Sequence, residues 1–539
     1  MNVIGLSGGV QYGNQDGAAA LLSDGRLLAA AEEERFVGIK FANGLLPRHA
    51  VRFCLQHAGL DIRDVDLVVF AGATYKDFET TLRRFFKFHF GHAPEIRLCD
   101  HHSAHAASSY YASGFDEALI VTLDFSGDRK STTVSQGRDG RIEPLAQMLK
   151  PNSLGIYYSA VTQYLGFQRD SDEYKVMGMG AYGRDCHDFS HILEITREGY
   201  HFHHRFIRGV TPDQPSPGKQ EPLFDSFPMP LPPRVPGAPI TQEHYDLAAS
   251  AQAQLERAVL SLVEHHVRAT GLDRLCLAGG VALNCLMVQK LRESGLVREV
   301  FVPPVCSDAG LALGTAYLAA AAAGREPEPC NHAYWGPEFT NDEIRRVLDL
   351  VGARYREVSD PAETAARLIA EGRLIGWFQG RMEFGPRALG NRSILAHPGD
   401  GAVKDRLNGL VKFREEFRPF APSVRHAEGP RYFEGYTDSP YMTQTFTAGP
   451  RARSEAPAIV HADGTSRIQS VHATTNPRYD ALIAATARRT GLPMILNTSL
   501  NVLGDPIARD PFSALKTYFA SGLEALVIGN FALEKGSVE

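Results

Sequence analysis

A strand, a glycine turn and a hairpin follow one another in this order twice along the chain. The first copy reads VIGLSGG and is followed by GAAALL and RLLAAAEE, which flank the turn SDG. The second copy, about a hundred residues later, reads ALIVTLDFSGD and is followed by STTVSQG and IEPLAQML around the turn RDG. Apolar segments that flank such a turn predict β-hairpins. The repeat therefore predicts a duplicated α/β domain.

A duplicated unit of this kind is typical of the ribonuclease H-like or actin-like ATPase folds, whose hairpins contact nucleotide phosphates. At 539 residues the chain exceeds what one hydrophobic core supports, so a second domain is expected. The segment GREPEPCNHAYWGPEF, from Gly324, breaks all periodicity, and LIGWFQG, PMILNTSLN and ALVIGNFAL beyond it predict further strands. We predict an N-terminal domain at 1–325, a linker at 326–340 and a C-terminal α/β domain at 341–539.

Charge, hydropathy and cysteine usage exclude several classes of protein. The formal net charge is −6 and no basic stripe is present, which argues against a nucleic-acid partner. The longest apolar run, from Leu311, is shorter than the ~20 residues a bilayer requires and is rich in alanine, so it predicts a packed helix and no membrane partner. Nothing at the start resembles a signal peptide, and seven scattered cysteines form no disulfide framework. We expect a cytoplasmic protein with reduced thiols.

Three histidines lie within five residues in DHHSAHAASSYYASGF. In a helix, His101 and His105 are four residues apart and share one face, whereas His102 points elsewhere. Two neutral imidazoles on one face can hold a transition-metal ion if oxygen ligands complete the site. Asp124 and Asp308 both follow apolar strands, where open α/β sheets assemble sites. Such a His₂Asp₂ set suits Fe(II), Mn or Zn, and the alternative is that these histidines only pack or cap the helix.

Two glycine-rich segments are candidates for ligand contacts. Gly279 and Gly280 separate a strand from a helix that should begin near Val281, so they are either a nucleotide-binding turn or only a tight turn. The segment Asp172–Gly183, DEYKVMGMGAYG, predicts a loop that lines a site rather than a core element, with an exposed charged turn as the alternative. The proline-rich stretch Thr211–Ile240 predicts a surface excursion, and Gln242–Thr270 predicts a long helix.

A basic cluster marks the C-terminal region. Guanidinium groups bind phosphates in a bidentate manner and lysine acts as a point charge, so this composition suits a site for two phosphorylated substrates. Acidic neighbours leave a charge-paired surface as the alternative. The cluster contains Arg381, Arg387, Arg392, Lys412 and Arg418.

Taken together, seven motifs in this order along nearly the whole chain resemble the ATP-dependent O-carbamoyltransferases of antibiotic and nodulation-factor biosynthesis. The motifs are EEERFVGIK, HHSAHAA, DEYKVMGMGAYG, LAGGVALNC, FGPRALGNRSILA, FRPFAPSV and LNTSLNVLGDPI. The resemblance implies an N-terminal domain of the actin-like ATPase type that transfers the carbamoyl group. It implies a YrdC-like α/β C-terminal domain that makes carbamoyl-adenylate from carbamoyl phosphate and ATP with Mg²⁺.

The resemblance also implies roles for individual residues. It assigns Fe²⁺, or another divalent transition metal, to His101, His105, Asp124 and Asp308, and it makes Lys40 a catalytic candidate, because Lys40 matches a family lysine near the transfer site. It places the nucleotide of the transfer site against Gly127, Lys175, Gly279, Gly280 and Asn284. It assigns carbamoyl phosphate and ATP to Arg387, Lys412, Arg418, Arg467 and Ser499. Gln15 stands where the family usually has histidine, so that histidine's role in binding the acyl group or the acceptor does not carry over to this chain. The catalytic general base would be Glu173 or a water, because the metal ligands cannot accept a proton freely, and Asp16 is a weaker candidate.

The acceptor implied is a hydroxylated small natural product, and a homodimer is compatible with the sequence. One alternative is a tRNA threonylcarbamoyl-type modification enzyme, which the acidic net charge disfavours because tRNA binding relies on many basic contacts. A non-catalytic nucleotide-binding scaffold would not need all four candidate ligands, and a sugar kinase would not need the second domain.

Overall fold

The computed structural model describes residues 1–10, 16–208, 221, 223–224 and 228–536. The described residues form two compact units, the first containing Met1–Glu33 and Phe41–Cys330 and the second containing Glu34–Lys40 and the described chain from Asn331 onward. The domain limits 1–325 and 341–539 and the linker 326–340 stay predictions. Gln15 and much of the proline-rich stretch lie outside the described residues.

Two five-stranded sheets of the same topology build the first unit. The first sheet contains β1 (Asn2–Ser7), β2 (Ala18–Ser23), β3 (Arg26–Glu32), β4 (Leu67–Ala71) and β5 (Glu95–Cys99), in the order β3-β2-β1-β4-β5. β1, β2 and β3 are antiparallel neighbours, whereas β4 and β5 run parallel to β1.

The second sheet repeats this plan after β6 (Glu117–Gly127), β7 (Lys130–Arg138) and β8 (Arg141–Leu149). A small hairpin, β9 (Leu193–Thr196) and β10 (Gly199–Phe202), precedes its parallel strands β11 (Arg274–Ala278) and β12 (Glu299–Phe301). The order is β12-β11-β6-β7-β8, with an antiparallel hairpin on one side of β6 and two parallel strands on the other. The predicted duplication of strand and hairpin is confirmed.

Eight helices of the described first unit cover these sheets. They are α2 (Arg48–Ala58), α3 (Phe78–Phe90), α4 (His101–Ser113), α5 (Leu154–Tyr164), α6 (Glu173–Gly180), α7 (Gln242–Thr270), α8 (Cys285–Glu293) and α9 (Leu311–Ala322), while α1 (Glu34–Val37) belongs to the second unit. α9 packs on the first sheet, α4 packs on the second, and the two helices pack on each other. Gly314 permits this approach, because a Cβ there would lie 1.9 Å from the carbonyl oxygen of Ala104.

The segment Asp172–Gly183, predicted to be a loop, contains a helix instead. The glycines and methionines of the segment show no clear hydrophobic period, yet Val176 and Met179 are buried one helical turn apart in α6 (Glu173–Gly180). Gly180 lies against α7, and a Cβ at Gly183 would lie 2.0 Å from the carbonyl oxygen of Tyr245. Packing on α7 therefore outweighs the low helix propensity of glycine. A second correction is that α8 begins at Cys285, after a single 3₁₀ turn at Gly280–Leu283.

An eight-stranded mixed sheet forms the core of the second unit. Its strands are β13 (Arg356–Glu357), β14 (Ile375–Phe378), β15 (Arg392–Ala396), β16 (Ala421–Arg425), β19 (Gln469–Val471), β20 (Met494–Ser499), β21 (Ala525–Ile528) and β22 (Phe531–Glu534). The order is β13-β22-β21-β14-β15-β20-β16-β19, and a separate pair consists of β17 (Thr445–Thr447) and β18 (Thr465–Arg467).

Both faces of this sheet are buried. Along β15, Ile394 and Ala396 join one apolar cluster with α10 and α15, whereas Leu395 joins another with α11 and α14. This alternation follows from the two-residue period of a strand. The helices are α10 (Asn341–Leu350), α11 (Pro361–Ala370), α12 (Val403–Leu407), α13 (Pro450–Glu455), α14 (Pro477–Thr490) and α15 (Pro511–Phe519).

All seven cysteines are free thiols, which agrees with the prediction of no disulfide framework. Among the residues that the structure describes, the helices fall short of the length and apolar character needed to cross a membrane.

Candidate functional site

The N-terminus of α4 is held in place by two aspartates. Asp100 caps the helix by accepting a 2.9 Å hydrogen bond from the backbone N–H of Ser103, and Lys130 donates to its other oxygen at 2.8 Å. The backbone N–H of His101 donates to Asp128 at 2.8 Å. The first turn of α4, which carries the histidines, is thus fixed at several points. Sequence reasoning did not single out Asp128 or the cap of Asp100.

Four side chains from three distant segments converge at this turn. His101 and His105 come from α4, Asp124 from β6, and Asp308 from the 3₁₀ turn that precedes α9. The Nε2 atom of His101 lies 3.3 Å from Asp124 and 3.6 Å from Asp308, and Nε2 of His105 lies 3.5 Å from Asp308. One ligand atom from each of the four lies within 4.8 Å of the others.

Glycines make room for this arrangement. A Cβ at Gly127 would lie 2.1 Å from the imidazole ring of His101, so any side chain there would displace the ring. Gly279 adopts a positive φ of 92° beneath the backbone of Leu123, and the N–H of Gly280 donates to Asp124 at 3.0 Å. These glycines position the candidate ligands, and their contact with a nucleotide stays a prediction.

The chemistry of the four side chains fits a transition-metal ion. His105 is buried, and neither of its ring nitrogens has a hydrogen-bond partner among the described residues, an arrangement that is unfavourable unless something else binds the ring. Burial, assisted by the neighbouring His101, lowers the pKa of His105 to about 3, which keeps the imidazole in the neutral form that binds metals. Two nitrogens and two carboxylates are a typical donor set for such an ion.

The electrostatics of His101 point the same way. Burial opposes a charge on its ring, but the hydrogen bond to Asp124 and the charges of Asp308 and Asp124 prevail and raise its pKa to about 9. The same negative potential would favour a bound cation. His102 points away, as predicted, with Nδ1 2.6 Å from the hydroxyl of Thr122.

Three other predicted residues of the first unit are Glu173 and Lys175, which lie on α6, and Asn284, which precedes α8. The Asn284 amide exchanges hydrogen bonds of 2.8 and 2.9 Å with Gln252 and caps α8, so much of its capacity is used internally. Lys175 lies 3.2 Å from Asp172 and over the ring of Phe167 at 5.2 Å from its centroid.

Glu173 is the predicted catalytic carboxyl with a strongly shifted pKa. It accepts hydrogen bonds from the hydroxyl of Ser159 at 2.8 Å and from the N–H of Asp170 at 2.6 Å. Burial and the nearby charge of Asp170 raise its pKa to about 7. A carboxyl with such a pKa can exchange protons near neutral pH.

Lys412 and Ser499, predicted together, meet in the second unit. The buried Lys412 Nζ donates to both the backbone and the side-chain oxygens of Ser499 and Asn501, at 2.5 to 3.2 Å. Burial, and then the positive charges of Arg414, Arg418 and Lys40, lower its pKa well below the ordinary value. The structure therefore places Lys40 in the same positive field as Lys412, and this field would favour an anionic ligand.

The arginines divide into two groups. Arg392 is fully buried, donates to the carbonyls of Gln379, Asn391, Pro337 and Gly380, and stacks 3.7 Å from the centroid of Phe378. Arg381 donates to the carbonyls of Trp335 and Gly336. The assignment of Arg392 to a phosphate-binding cluster is therefore wrong, because its buried guanidinium group is enclosed by backbone carbonyls. The assignment of Arg381, which is partly exposed, stays a prediction.

The remaining arginines are those that the resemblance assigned to ligands. Arg418 is partly exposed and lies 3.6 Å from Glu415, Arg387 is partly exposed between β14 and β15, and Arg467 ends β18. Their contacts with carbamoyl phosphate and ATP stay predictions.

The chain matches two family descriptions and several curated proteins. "Carbamoyltransferase N-terminus" matches residues 7–92 and 74–317, and "Carbamoyltransferase C-terminus" matches residues 366–535. Nodulation protein NolNO of Sinorhizobium fredii is 36% identical over 99% of this chain and 83% of its own length. A 3'-hydroxymethylcephem-O-carbamoyltransferase of Streptomyces clavuligerus is 28% identical over 91% of this chain and 92% of its own length.

Solved structures are more remote. The match to the HypF protein of T. kodakarensis covers 60% of this chain and 48% of the HypF chain, and the two sequences are 16% identical. The TM-score of 0.34 is too low to bear on the fold. Because the family descriptions together cover most of the sequence and a relative at 36% identity spans nearly all of it, this chain belongs to the carbamoyltransferase family of transferase enzymes.

Proposed function

We propose that this protein is an ATP-dependent O-carbamoyltransferase that acts on a hydroxyl group of a small natural product. The observation that carries the proposal is the convergence of His101, His105, Asp124 and Asp308, in a member of the carbamoyltransferase family. The repeated sheet topology of the first unit supports the actin-like classification. The YrdC-like character of the second unit is part of the same proposal.

In the first half-reaction, carbamoyl phosphate is hydrolysed to carbamate and phosphate, and carbamate attacks the α-phosphorus of ATP. Carbamoyl-adenylate forms and pyrophosphate leaves. Lys412 and Ser499, with Arg387, Arg418 and Arg467, bind the phosphates, and Mg²⁺ accompanies ATP. The positive field around Lys412 supports this assignment, because a bound dianion would offset the mutual repulsion of Lys412, Arg414, Arg418 and Lys40.

In the second half-reaction, the acceptor hydroxyl attacks the carbamoyl carbon and AMP leaves. Gly127, Lys175, Gly279, Gly280 and Asn284 lie against the nucleotide. Fe²⁺, or another divalent transition ion, held by the four converging side chains would supply Lewis acidity toward the carbamoyl oxygen. Glu173 accepts the proton of the hydroxyl, since its pKa of about 7 suits proton transfer at neutral pH.

The acceptor belongs to the same broad class as that of the cephem relative, whose name specifies a 3'-hydroxymethyl group. A panel of hydroxylated metabolites incubated with the protein, ATP and carbamoyl phosphate should yield one product that is heavier by a single carbamoyl group. Pyrophosphate release should require carbamoyl phosphate. Pyrophosphate release that is independent of carbamoyl phosphate, with no carbamoylated product, would contradict the proposal.

A further inference from the structure

A second cluster of potential metal ligands lies in the second unit, on the sheet edge formed by β16 and β19. The two strands are parallel neighbours, and Arg425 of β16 pairs with Val471 of β19. The next residue of each strand is a histidine, so His426 and His472 leave the carboxyl ends of adjacent strands side by side. Their rings stack with centroids 4.3 Å apart and planes inclined by 27°.

One carboxylate faces both imidazoles. Asp438 lies 2.9 and 3.1 Å from Nε2 of His472, and one of its oxygens is 3.3 Å from Nδ1 of His426. In a tetrahedral site with bond lengths of ~2.0–2.1 Å, neighbouring ligand atoms are ~3.3 Å apart. Each nitrogen thus lies near the separation from the Asp438 oxygen that a common ion would impose, and one ligand atom of each of the three residues lies within 4.8 Å of the others.

The loop that carries Asp438 is docked on the sheet before any ion binds. Ser439 and Ser470 exchange hydrogen bonds: the N–H of Ser439 donates to the Ser470 hydroxyl at 2.8 Å, and the N–H of Ser470 donates to the Ser439 carbonyl at 2.9 Å. The hydroxyl of Tyr436 lies 2.8 Å from the Ser470 hydroxyl and 3.0 Å from Nδ1 of His426. The two serines therefore fix the backbone next to Asp438 and His472, whereas the Tyr436 hydroxyl would have to give up its contact with Nδ1 of His426 to the ion.

The surroundings leave the cluster open to an ion from solvent. The side chains of His426, Asp438 and His472 are 42%, 47% and 29% exposed. Arg425, the nearest cation along β16, is engaged with Asp480 at 2.8 and 3.2 Å. Exposure also leaves a coordination position for water, so the site would be a three-ligand site with at least one exchangeable position.

We propose that His426 Nδ1, His472 Nε2 and the Asp438 carboxylate bind a late first-row divalent cation of the Zn²⁺ class. Imidazole and carboxylate donors select such ions over Ca²⁺ and Mg²⁺, which prefer oxygen ligands. The ion ties the loop at Asp438 to the ends of β16 and β19. This site lies in a different unit from His101 and His105 and does not depend on the proposed carbamoyl transfer.

The test is a Co²⁺ titration of the metal-stripped full-length protein, followed by visible absorption and by the cation bound per chain after dialysis. His472→Ala and His426→Ala should each lower the bound cation by one equivalent and weaken affinity at this site at least ~100-fold, since loss of a supporting residue alone costs 10–100-fold. His92→Ala, which removes an exposed histidine of the first unit, is the matched control and should leave the titration unchanged.

Two further measurements separate ligand loss from misfolding. Asp438→Asn keeps a hydrogen-bond acceptor for His472 but removes the negative charge. The variant should therefore fold normally, yet bind the ion more weakly than the unaltered protein does. Both tryptophans, Trp335 and Trp377, lie in the second unit, so their fluorescence reports its thermal midpoint. Zn²⁺ should raise that midpoint in the unaltered protein and in His105→Ala, but not in His472→Ala. Equal cation binding in His472→Ala, His426→Ala and the unaltered protein would overturn the proposal and leave the cluster as hydrogen bonds only.

Discussion

Replacement of Glu173 by glutamine tests both the electrostatics of α6 and the proposed general base. The carboxyl has a pKa of about 7 in the folded protein against an ordinary value of 4.5. Because the folded state holds the proton more tightly than the unfolded state, stability is highest below pH 4.5 and falls as pH rises toward 7. At 1.36 kcal/mol per pKa unit, the change is about 3 kcal/mol. This is an upper limit, because Glu173 retains some contact with solvent.

Glutamine cannot ionise, yet its carbonyl oxygen can still accept from Ser159 and Asp170. Glu173→Gln should therefore stabilise α6 relative to the unaltered protein by an amount that grows from near zero at pH 4.5 to at most about 3 kcal/mol above pH 7. The assay is native-state hydrogen exchange of α6 peptides, with both proteins compared at each pH. Asp170→Asn removes the charge that raises the pKa of Glu173 and should reduce the pH dependence only in part.

The same variant has a kinetic consequence. Loss of a general base typically slows a reaction by ~10²–10⁴-fold, so carbamoyl transfer at pH 8 should fall within that range. Carbamoyl-phosphate-dependent pyrophosphate release should be unchanged. An identical pH dependence of α6 protection in both proteins between pH 4.5 and 8 would refute the raised pKa of Glu173.

Three further substitutions follow from the packing. Gly127→Ala places a Cβ 2.1 Å from the ring of His101 and should lower both the transition-metal content, measured by elemental analysis, and the rate of carbamoyl transfer. Gly401→Ala, which has open space around it, is the control and should change neither. Lys412→Met removes the donor to Ser499 and Asn501 and should abolish pyrophosphate release but leave the metal content intact; retention of pyrophosphate release would contradict its role. Arg392→Ala removes the side-chain donor to four backbone carbonyls, of which those of Asn391 and Pro337 keep a backbone N–H donor. It should lower the thermal midpoint seen by tryptophan fluorescence, with a loss of about 3 kcal/mol, while an unchanged midpoint would show that those bonds contribute little.

The features that could be predicted from sequence are those with a strict local period. The four-residue spacing of His101 and His105 placed both on one face of α4, and the turns SDG and RDG located both hairpins. Asp124, which the sequence placed at the end of a strand, lies inside β6 near its carboxyl end, and Asp308 follows β12. These positions were sufficient to suggest convergence, because adjoining strands and helices meet at one sheet edge.

Features set by tertiary packing could not be predicted in this way. α6 forms because Gly180, and Gly183 just after the helix, fit against α7, although the composition of the segment indicates a loop. Arg392 resembles a phosphate ligand in sequence, but its side chain is enclosed by carbonyls that the chain brings from four other positions. The juxtaposition of His426, Asp438 and His472 depends on the register of β16 with β19, which local sequence does not specify.

The division of labour between the two units is tested most directly by measuring both half-reactions in two variants. Carbamoyl-phosphate-dependent exchange between ATP and pyrophosphate reports the first half-reaction, and the carbamoylated acceptor reports the second. His105→Ala should retain exchange and lose transfer, whereas Arg418→Ala should lose exchange and regain transfer when carbamoyl-adenylate is supplied. Parallel loss of exchange and transfer in both variants, with normal circular dichroism, would contradict the account.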